Sequence, residues 1–482
     1  MRPFSASEAD KYCRLLAPRK PLPEPANSAF LSALTALGRA MHDDGTFVSD
    51  QPELLVTSGY TYFGQVIDHD LTHNRTNLRD SSTVAPEETV NNVTPRLDLD
   101  TLYGKGPQGG DSKLFTDGVR FKIGPLGQSG RSFDVGIDAN GPAVADDRTL
   151  ENVIVRQMIA FFARLHNFAV KQFEGSIKDP EKLFARARQK TVWQYQWLVY
   201  NDYLHRILHP PIYDRIFNQR KPTVTWDVFS IPIEFAVAGM RFGHSMVREN
   251  YLMSFGNDKE LVDILKRSLQ LGTLESEWEI EWGRYFQGAS NVPAMAMTSR
   301  PIDARIVDSL FQVPSPTFRL FSMPSRPGAA FAAPDPTQQA MELPVVTLLR
   351  GAGMLIGSGQ SAAKFFGEKP LSQTELTCRV GTTELTNAGM VLREENLTGP
   401  SDPGTPLWYY VLKESEVRNN GNRLGPVGSW IVGETIYASL LHDPGSFIHK
   451  RQSQPQPPMW ALPGGDRQLT SLRQLFALAE TI

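Results

Sequence analysis

Apolar positions along this chain recur mostly at helical spacing, and long strictly alternating runs are scarce. The strongest periodicity lies in residues 151–176, ENVIVRQMIAFFARLHNFAVKQFEGS, and Asp146, Asp147 and Thr149 supply start signals ahead of it. A second helix is predicted over residues 181–207, rich in Arg, Trp and Tyr. Ser230-Ile231-Pro232 opens an almost wholly apolar helix running to about Val247. Shorter helices are expected over Ala29–Met41 and over Thr61–Leu71, and residues 341–350 read MELPVVTLLR. Two amphipathic helices are expected within 407–445, and short helices or loops fill 258–340. Residues 75–150 are rich in Asp, Gly, Thr and Pro and read as a long irregular region. A segment of that length inside a compact domain needs something to hold it, and a bound ion is a natural clamp. The expected fold is mainly α, with long loops and little sheet.

The totals narrow the class. The chain has 482 residues, 41% of them hydrophobic, enough for a large core. Length alone suggests about two to four domains at ~100–200 residues each. A net charge of −3 gives no electrostatic reason to expect nucleic acid or an anionic membrane as partner. The longest apolar stretches, such as Ile231–Met240, fall short of the ~18 residues of a membrane span. The N-terminal MRPFSASEADKYCRLLAPRK lacks the apolar core of a secretory signal, so a cytoplasmic location, or export without such a signal, is expected. Cys13 and Cys378 are too few for a disulfide framework, and reduced thiols are expected, with a single bridge left open.

Candidate chemistry concentrates in FGQVIDHD, residues 63–70. Gln65 and His69 are one helical turn apart and Asp68 shares their face, whereas Asp70 is rotated away by about 100°. An amide, a carboxylate and an imidazole then point the same way from an apolar turn. His244, beside Gly243 on an apolar helix, reads either as a satisfied core histidine or as a metal or haem ligand. Arg148 and Glu151, at the start of the long helix, are either helix-end solvation or a cation and carboxylate at the rim of a buried site. In TPRLDLD the alternation puts Thr94, Asp98 and Asp100 on one side of an extended loop, an oxygen-rich arrangement suited to a hard cation such as calcium, or simply a polar loop. His69 and His73 have the spacing of a helical metal pair, but the glutamate of a zinc protease is missing. Gly351-Ala-Gly353 followed by Gly357 misses the dinucleotide fingerprint by one position.

Together these pieces resemble the animal-type haem peroxidases (the superfamily of myeloperoxidase and lactoperoxidase), and within it the bacterial branch. FGQVIDHD resembles the distal helix, TPRLDLDTLYG the calcium loop, DDRTLENVIVRQMIAFFARLHN the distal arginine segment, and MRFGHSMV the proximal helix. LPVVTLLRG, TPLWYYVL and LGPVGSWIVGE resemble the bacterial members. The resemblance implies one large helical haem peroxidase domain over 55–450, with an N-terminal arm (1–54) and a C-terminal extension (451–482). It implies haem b, calcium, hydrogen peroxide as substrate, and a halide, thiocyanate or small aromatic donor. In residue terms, His69 is the distal base, Gln65 holds water or a halide, Arg148 is the distal arginine and His244 is the iron ligand. Arg241 and Arg350 lie near the haem propionates, and Asp68 and Glu151 fall where the family's ester links to haem form. The calcium ligands match Asp70, Thr94, Asp98, Asp100 and the main-chain carbonyl of Arg96.

Three departures accompany the resemblance. Asn152 stands where myeloperoxidase has a methionine, so no sulfur link to haem can form. Thr347 stands at the position of the proximal asparagine that partners the iron-bound histidine. The disulfides of the secreted mammalian enzymes are absent. Fatty-acid dioxygenases of the same superfamily carry a tyrosine three residues before the proximal histidine; here that residue is Arg241, which favours a peroxidase. A haem-binding or adhesion module without turnover remains the other alternative.

Overall fold

The computed structural model describes residues 11–21, 26–43, 56–74, 89–126, 132–138, 141–254, 256–268, 270, 272–286, 296–314, 340–376, 404–450 and 469–478. Its main helices are α1 (Ala26–Ala40), α2 (Ser58–Leu71), α3 (Val153–Phe173), α4 (Pro180–Leu198), α5 (Leu343–Gly353), α6 (Leu407–Asn419) and α7 (Pro426–His442). Sheet among the described residues is confined to three two-stranded antiparallel ribbons, among them Ile123–Leu126 paired with Ser132–Val135. The fold is helical, as the spacing predicts.

The central element is α3. Asn152 caps its N-terminus by accepting the Val155 N–H at 2.8 Å. Its Val153, Ile154, Met158, Phe162 and Leu165 are fully buried, each side chain contributing about 1.5–3 kcal/mol. Among the described residues α3 is the one helix with the length and apolarity to cross a membrane, but most of it is buried inside the protein. It also carries Arg156, ion-paired in the core with Asp134, a pair whose charges are tolerated only because each satisfies the other. Helix α4 packs along α3, and α2 crosses α3 with Phe63 stacked on Phe162. Gly64 is required on α2, because a Cβ there would lie 2.4 Å from the Tyr203 hydroxyl.

The apolar helix expected from Ser230 to Val247 is not regular. It widens into a π turn at Phe235–Gly239, tightens into a 3-10 turn at Met240–Phe242 and ends as an α turn at Gly243–Met246. Two packing constraints act here. A Cβ on Gly239 would sit 2.7 Å from Ile431 of α7, so the two elements touch backbone to side chain. Glu234, at the segment's start, accepts the main-chain N–H groups of Leu15 and Leu16 at 3.0 and 3.1 Å. Changes of winding re-aim side chains relative to a plain helix, and His244 lies beyond them.

Residues 11–19 lie against this segment. Cys13 N–H donates to the Ile231 carbonyl and Ile233 N–H to that of Cys13, while the Cys13 thiol donates to Ser230 at 3.2 Å. Cys378 lies outside the described residues. Helix α1 packs on α5. Near the C-terminus Phe476, in Leu472–Ala477, stacks on Phe161 and Phe286. The long segment expected to be irregular carries, where described, a helical turn at Asp100–Tyr103 and the first two ribbons.

Candidate active site

Helix α2 and the His244 segment each form a wall of a cavity with about 1010 Å³ of empty space, its open mouth included. Gln65, Asp68 and His69 line one wall together, as their spacing implies, and Met240 to His244, Met246 and Val247 line the other. Leu261, Leu265, Leu310, Val313 and Leu343 make the remaining surface largely apolar. His69 is buried and lines the cavity.

The α2 wall is a connected hydrogen-bond network. His69 Nε2 lies 3.3 Å from Glu151 Oε2. Gln65 Nε2 donates to the same oxygen at 2.9 Å. Asn152 Nδ2 donates to Gln65 Oε1 at 3.1 Å. Glu151 and Asn152 sit at the mouth of α3, so two helices distant in sequence meet through these four side chains.

Arg148 does not line this cavity. Its guanidinium is buried against Asp146, with Nε 3.1 Å from both carboxylate oxygens and Nη2 at 2.5 Å. Its remaining N–H groups donate to the main-chain carbonyls of Thr72 (2.5 Å) and His69 (2.8 Å). Burial disfavours both charges, yet the pairing outweighs it: Asp146 is held below the usual carboxylate range and Arg148 above its own. The arginine expected to face a breaking O–O bond is therefore committed to the C-terminal end of α2, because Asp146, two residues away, neutralises it and turns it aside. Composition offered a signal for this in the DDR triplet at 146–148.

The wall that carries His244 has an unsatisfied group of its own. Burial, reinforced by Arg241, lowers the His244 pKa to about 3, so the imidazole is neutral, the form that ligates metals. Its Nδ1 is buried without a hydrogen-bond partner. Thr347, at the position of the proximal asparagine, donates its hydroxyl to the Leu343 carbonyl one turn back at 2.8 Å. That short bond within α5 is a common one for a threonine on a helix. Trp408 meets the His244 ring edge-on at 5.9 Å and donates its indole N–H to the Arg241 carbonyl at 3.0 Å.

A smaller recess of about 400 Å³ adjoins, lined by Tyr12, Asp68, His69, Arg148, Arg241 and Arg350 among others. Arg241 Nη1 pairs with Asp68 at 3.1 Å. Asp68 also accepts the Thr72 hydroxyl at 3.0 Å. Arg350 donates to the Asn74 carbonyl at 3.2 Å, while its buried Nε has no partner. Burial, with the neighbouring Arg241 charge, lowers Arg350 to about 10.

Asp70, Asp98 and Asp100 converge beyond the far side of α2. Asp70 accepts the N–H groups of Leu99 (3.0 Å) and Asp100 (2.7 Å), and so holds the turn that Leu99 enters at φ 58°. Thr94 Oγ1 lies 3.2 Å from Asp98 and Thr94 N–H 3.2 Å from Asp100. Burial and the Asp100 charge push Asp70 up to about 8 and Asp98 well up. Arg188 offsets the crowding from 3.5 and 3.8 Å. Among the described residues, no three His, Cys, Asp or Glu side chains stand in metal-ligating range of one another. Arg96 points its side chain to Asp443 at 3.8 Å.

A sequence model of the family described as animal haem peroxidase matches residues 74–323, just over half of the chain. The chain belongs to the animal haem peroxidase family. Arg148, Glu151 and His244 lie inside the matched stretch, and Gln65 and His69 just before it. The chain is 34% identical over 111 residues to a peroxidase-like protein of Margaritifera margaritifera, a stretch covering 21% of this chain and 14% of that relative's length. Its fold is similar to peroxidase A from Dictyostelium discoideum, with TM-score 0.57 and 15% identity over 94% of this chain and 92% of that one. It is also similar to fatty acid alpha-dioxygenases from Arabidopsis thaliana (0.62, 11%, over 91% and 73%) and Oryza sativa (0.62, 11%, over 98% and 80%). At these identities the likeness to the solved structures is one of fold.

The residues present fit the family's haem. Buried polar atoms without partners lie at the cavity, His244 Nδ1 and Glu151 Oε1 among them, and at the recess beside it, Arg350 Nε. Buried polar groups are rarely left unpaired in a native protein, so such atoms around the cavity and its recess mark a place for a further group. The cations Arg241 and Arg350 suit a carboxylate-bearing one.

Proposed function

We propose that the protein is a haem-dependent peroxidase that reduces hydrogen peroxide and oxidises a small donor. The observation that carries this is that His69 and His244 line one cavity. His244, Arg241 and Arg350 would hold the haem, which would supply a redox-active iron for the reduction of peroxide. His69 takes a proton from peroxide at one oxygen and returns it to the other as that oxygen leaves, a role contributing typically 10²–10⁴-fold. Glu151, 3.3 Å from Nε2, orients the imidazole. Gln65 presents an amide to the cavity, where it hydrogen-bonds peroxide or an anionic donor. Arg148 acts through the main chain, holding the His69 carbonyl and therefore the end of α2. The donor class we favour is a halide, thiocyanate or small aromatic.

Two finer points belong to the same proposal. Asp70, Thr94, Asp98, Asp100 and the Arg96 carbonyl bind calcium, which the crowding of buried carboxylates supports; added calcium then raises the melting temperature. Of the two acids expected to attach haem covalently, Asp68 is committed to Arg241 and Thr72, whereas Glu151 keeps an unpartnered oxygen. Glu151 is thus the acid to substitute first when testing whether haem resists acid-solvent extraction.

A dioxygenase is the second reading, favoured by the apolar half of the cavity and opposed by Arg241 at the position of the dioxygenase tyrosine. The deciding experiment is the absorption spectrum of the haem-loaded protein before and after equimolar hydrogen peroxide. A haem band that shifts supports the peroxidase. A band that stays, with oxygen uptake on adding a fatty acid, supports the dioxygenase. Absence of haem uptake would sink both.

A further inference from the structure

Asn152 takes no part in the chemistry above, yet it is bonded on both sides. Its Oδ1 accepts the Val155 N–H at 2.8 Å, and a main-chain N–H can only donate. That anchors the orientation of the amide and leaves Nδ2 to point outward, where it meets Gln65 Oε1 at 3.1 Å. Gln65 is oriented in turn: with its oxygen held by Asn152, its nitrogen faces Glu151 Oε2 at 2.9 Å. Amide orientation is therefore passed outward from one backbone donor, through two side chains, to the cavity wall. A primary amide nitrogen carries two hydrogens. Gln65 gives one to Glu151 and keeps the other beside a cavity that it lines.

We propose that Asn152 is a positioning residue that locks Gln65 with its donor end at the cavity, so that this part of the wall accepts small anions. The proposal rests on the haem peroxidase reading. Without Asn152 the Gln65 carbonyl loses its donor and Glu151 alone restrains the amide, so the donor end offered to an anion is held less firmly.

A residue that only caps α3 predicts something different, and two substitutions separate the cases. Asn152→Ser keeps a capping oxygen for Val155 but is too short to reach Gln65. Asn152→Asp keeps the capping oxygen but sets a carboxylate against the Gln65 carbonyl, so that Gln65 stands between two acceptors and loses its fixed orientation. The readout is the thiocyanate dissociation constant, followed by the absorption of the haem-loaded protein, with the melting temperature measured alongside. Asn152→Ser is expected to weaken thiocyanate about tenfold, with Asn152→Asp weaker still and both melting temperatures close to that of the wild type. On a Gln65→Ala background, Asn152→Ser is expected to have no further effect on binding. Unchanged thiocyanate binding in a normally melting Asn152→Ser protein would overturn the proposal and leave the peroxidase reading standing. So would an equal loss on the Gln65→Ala background. A wild-type protein that takes up no haem would overturn both.

Discussion

The two walls of the cavity differ in how their polar groups are engaged. On the α2 side, Asn152, Gln65 and Glu151 are joined by hydrogen bonds, His69 lies 3.3 Å from Glu151 and Arg148 is bonded to the main chain beneath them, while Glu151 Oε1, Thr61 Oγ1 and the Tyr62 hydroxyl are buried without partners. On the other side His244 Nδ1 is buried with no partner, as is Arg350 Nε in the adjoining recess. Groups that hold one another are organised before anything binds. A buried group with no partner is completed by what it meets. We propose chemistry on the first wall and retention of the cofactor on the second.

That division can be broken most directly at the histidines. His244→Ala should abolish most haem uptake, seen as loss of the haem absorption band. His69→Leu should keep the band while slowing the reaction with peroxide by about 10²–10⁴-fold in rapid mixing. A His69→Leu protein that reacts at the wild-type rate would end the assignment of the base. Arg148→Leu sharpens the comparison. It strands Asp146 as a buried, unpaired carboxylate, and a loss of ~3–5 kcal/mol in denaturant unfolding is expected. Slow peroxide chemistry with unchanged stability would instead place the guanidinium on the substrate.

A buried acid away from both walls provides the control. Burial, with the Glu368 charge adding, pushes Glu414 up to about 8 against partial relief from the Val427 and Gly428 N–H groups. A glutamate in the unfolded chain titrates near ~4.3. Between about pH 4.5 and 8 the native state therefore binds the extra proton, and stability falls as pH rises through that window. Glu414→Gln should remove this slope and gain on the wild type by ~3.5 kcal/mol on going from pH 5 to pH 8 in urea unfolding. The smallest effect belongs to Thr347→Ala. With its hydroxyl used inside α5, the loss should stay below ~1 kcal/mol and the haem spectrum should not move. A shifted reduction potential in that variant would restore the threonine to the histidine.

Legibility differed from one residue to the next for reasons that are physical. Gln65, Asp68 and His69 share a face by periodicity, so their convergence was readable from spacing. So was the run of α3, whose start signals and apolar stripe agree. The interruption of the His244 helix was not readable, because it follows from how Gly239 meets Ile431 and how Glu234 holds Leu15 and Leu16. The bonds of Arg148 to Asp146 and to the main chain were not readable, since Asp146 had been read only as a helix start signal. Asn152 was noticed as a departure from methionine, while its second bond, to Gln65, depends on a helix that lies elsewhere in the sequence.

By itself the sequence determined the helical class, the faces of α2 and α3, and the residues proposed for peroxide chemistry, because local periodicity and side-chain type are carried by neighbours along the chain. Tertiary structure alone decided that His69 and His244 line one cavity and that Arg148 bonds the main-chain carbonyls of His69 and Thr72. Both outcomes join segments far apart in the sequence, and such meetings are settled only when the segments are packed together.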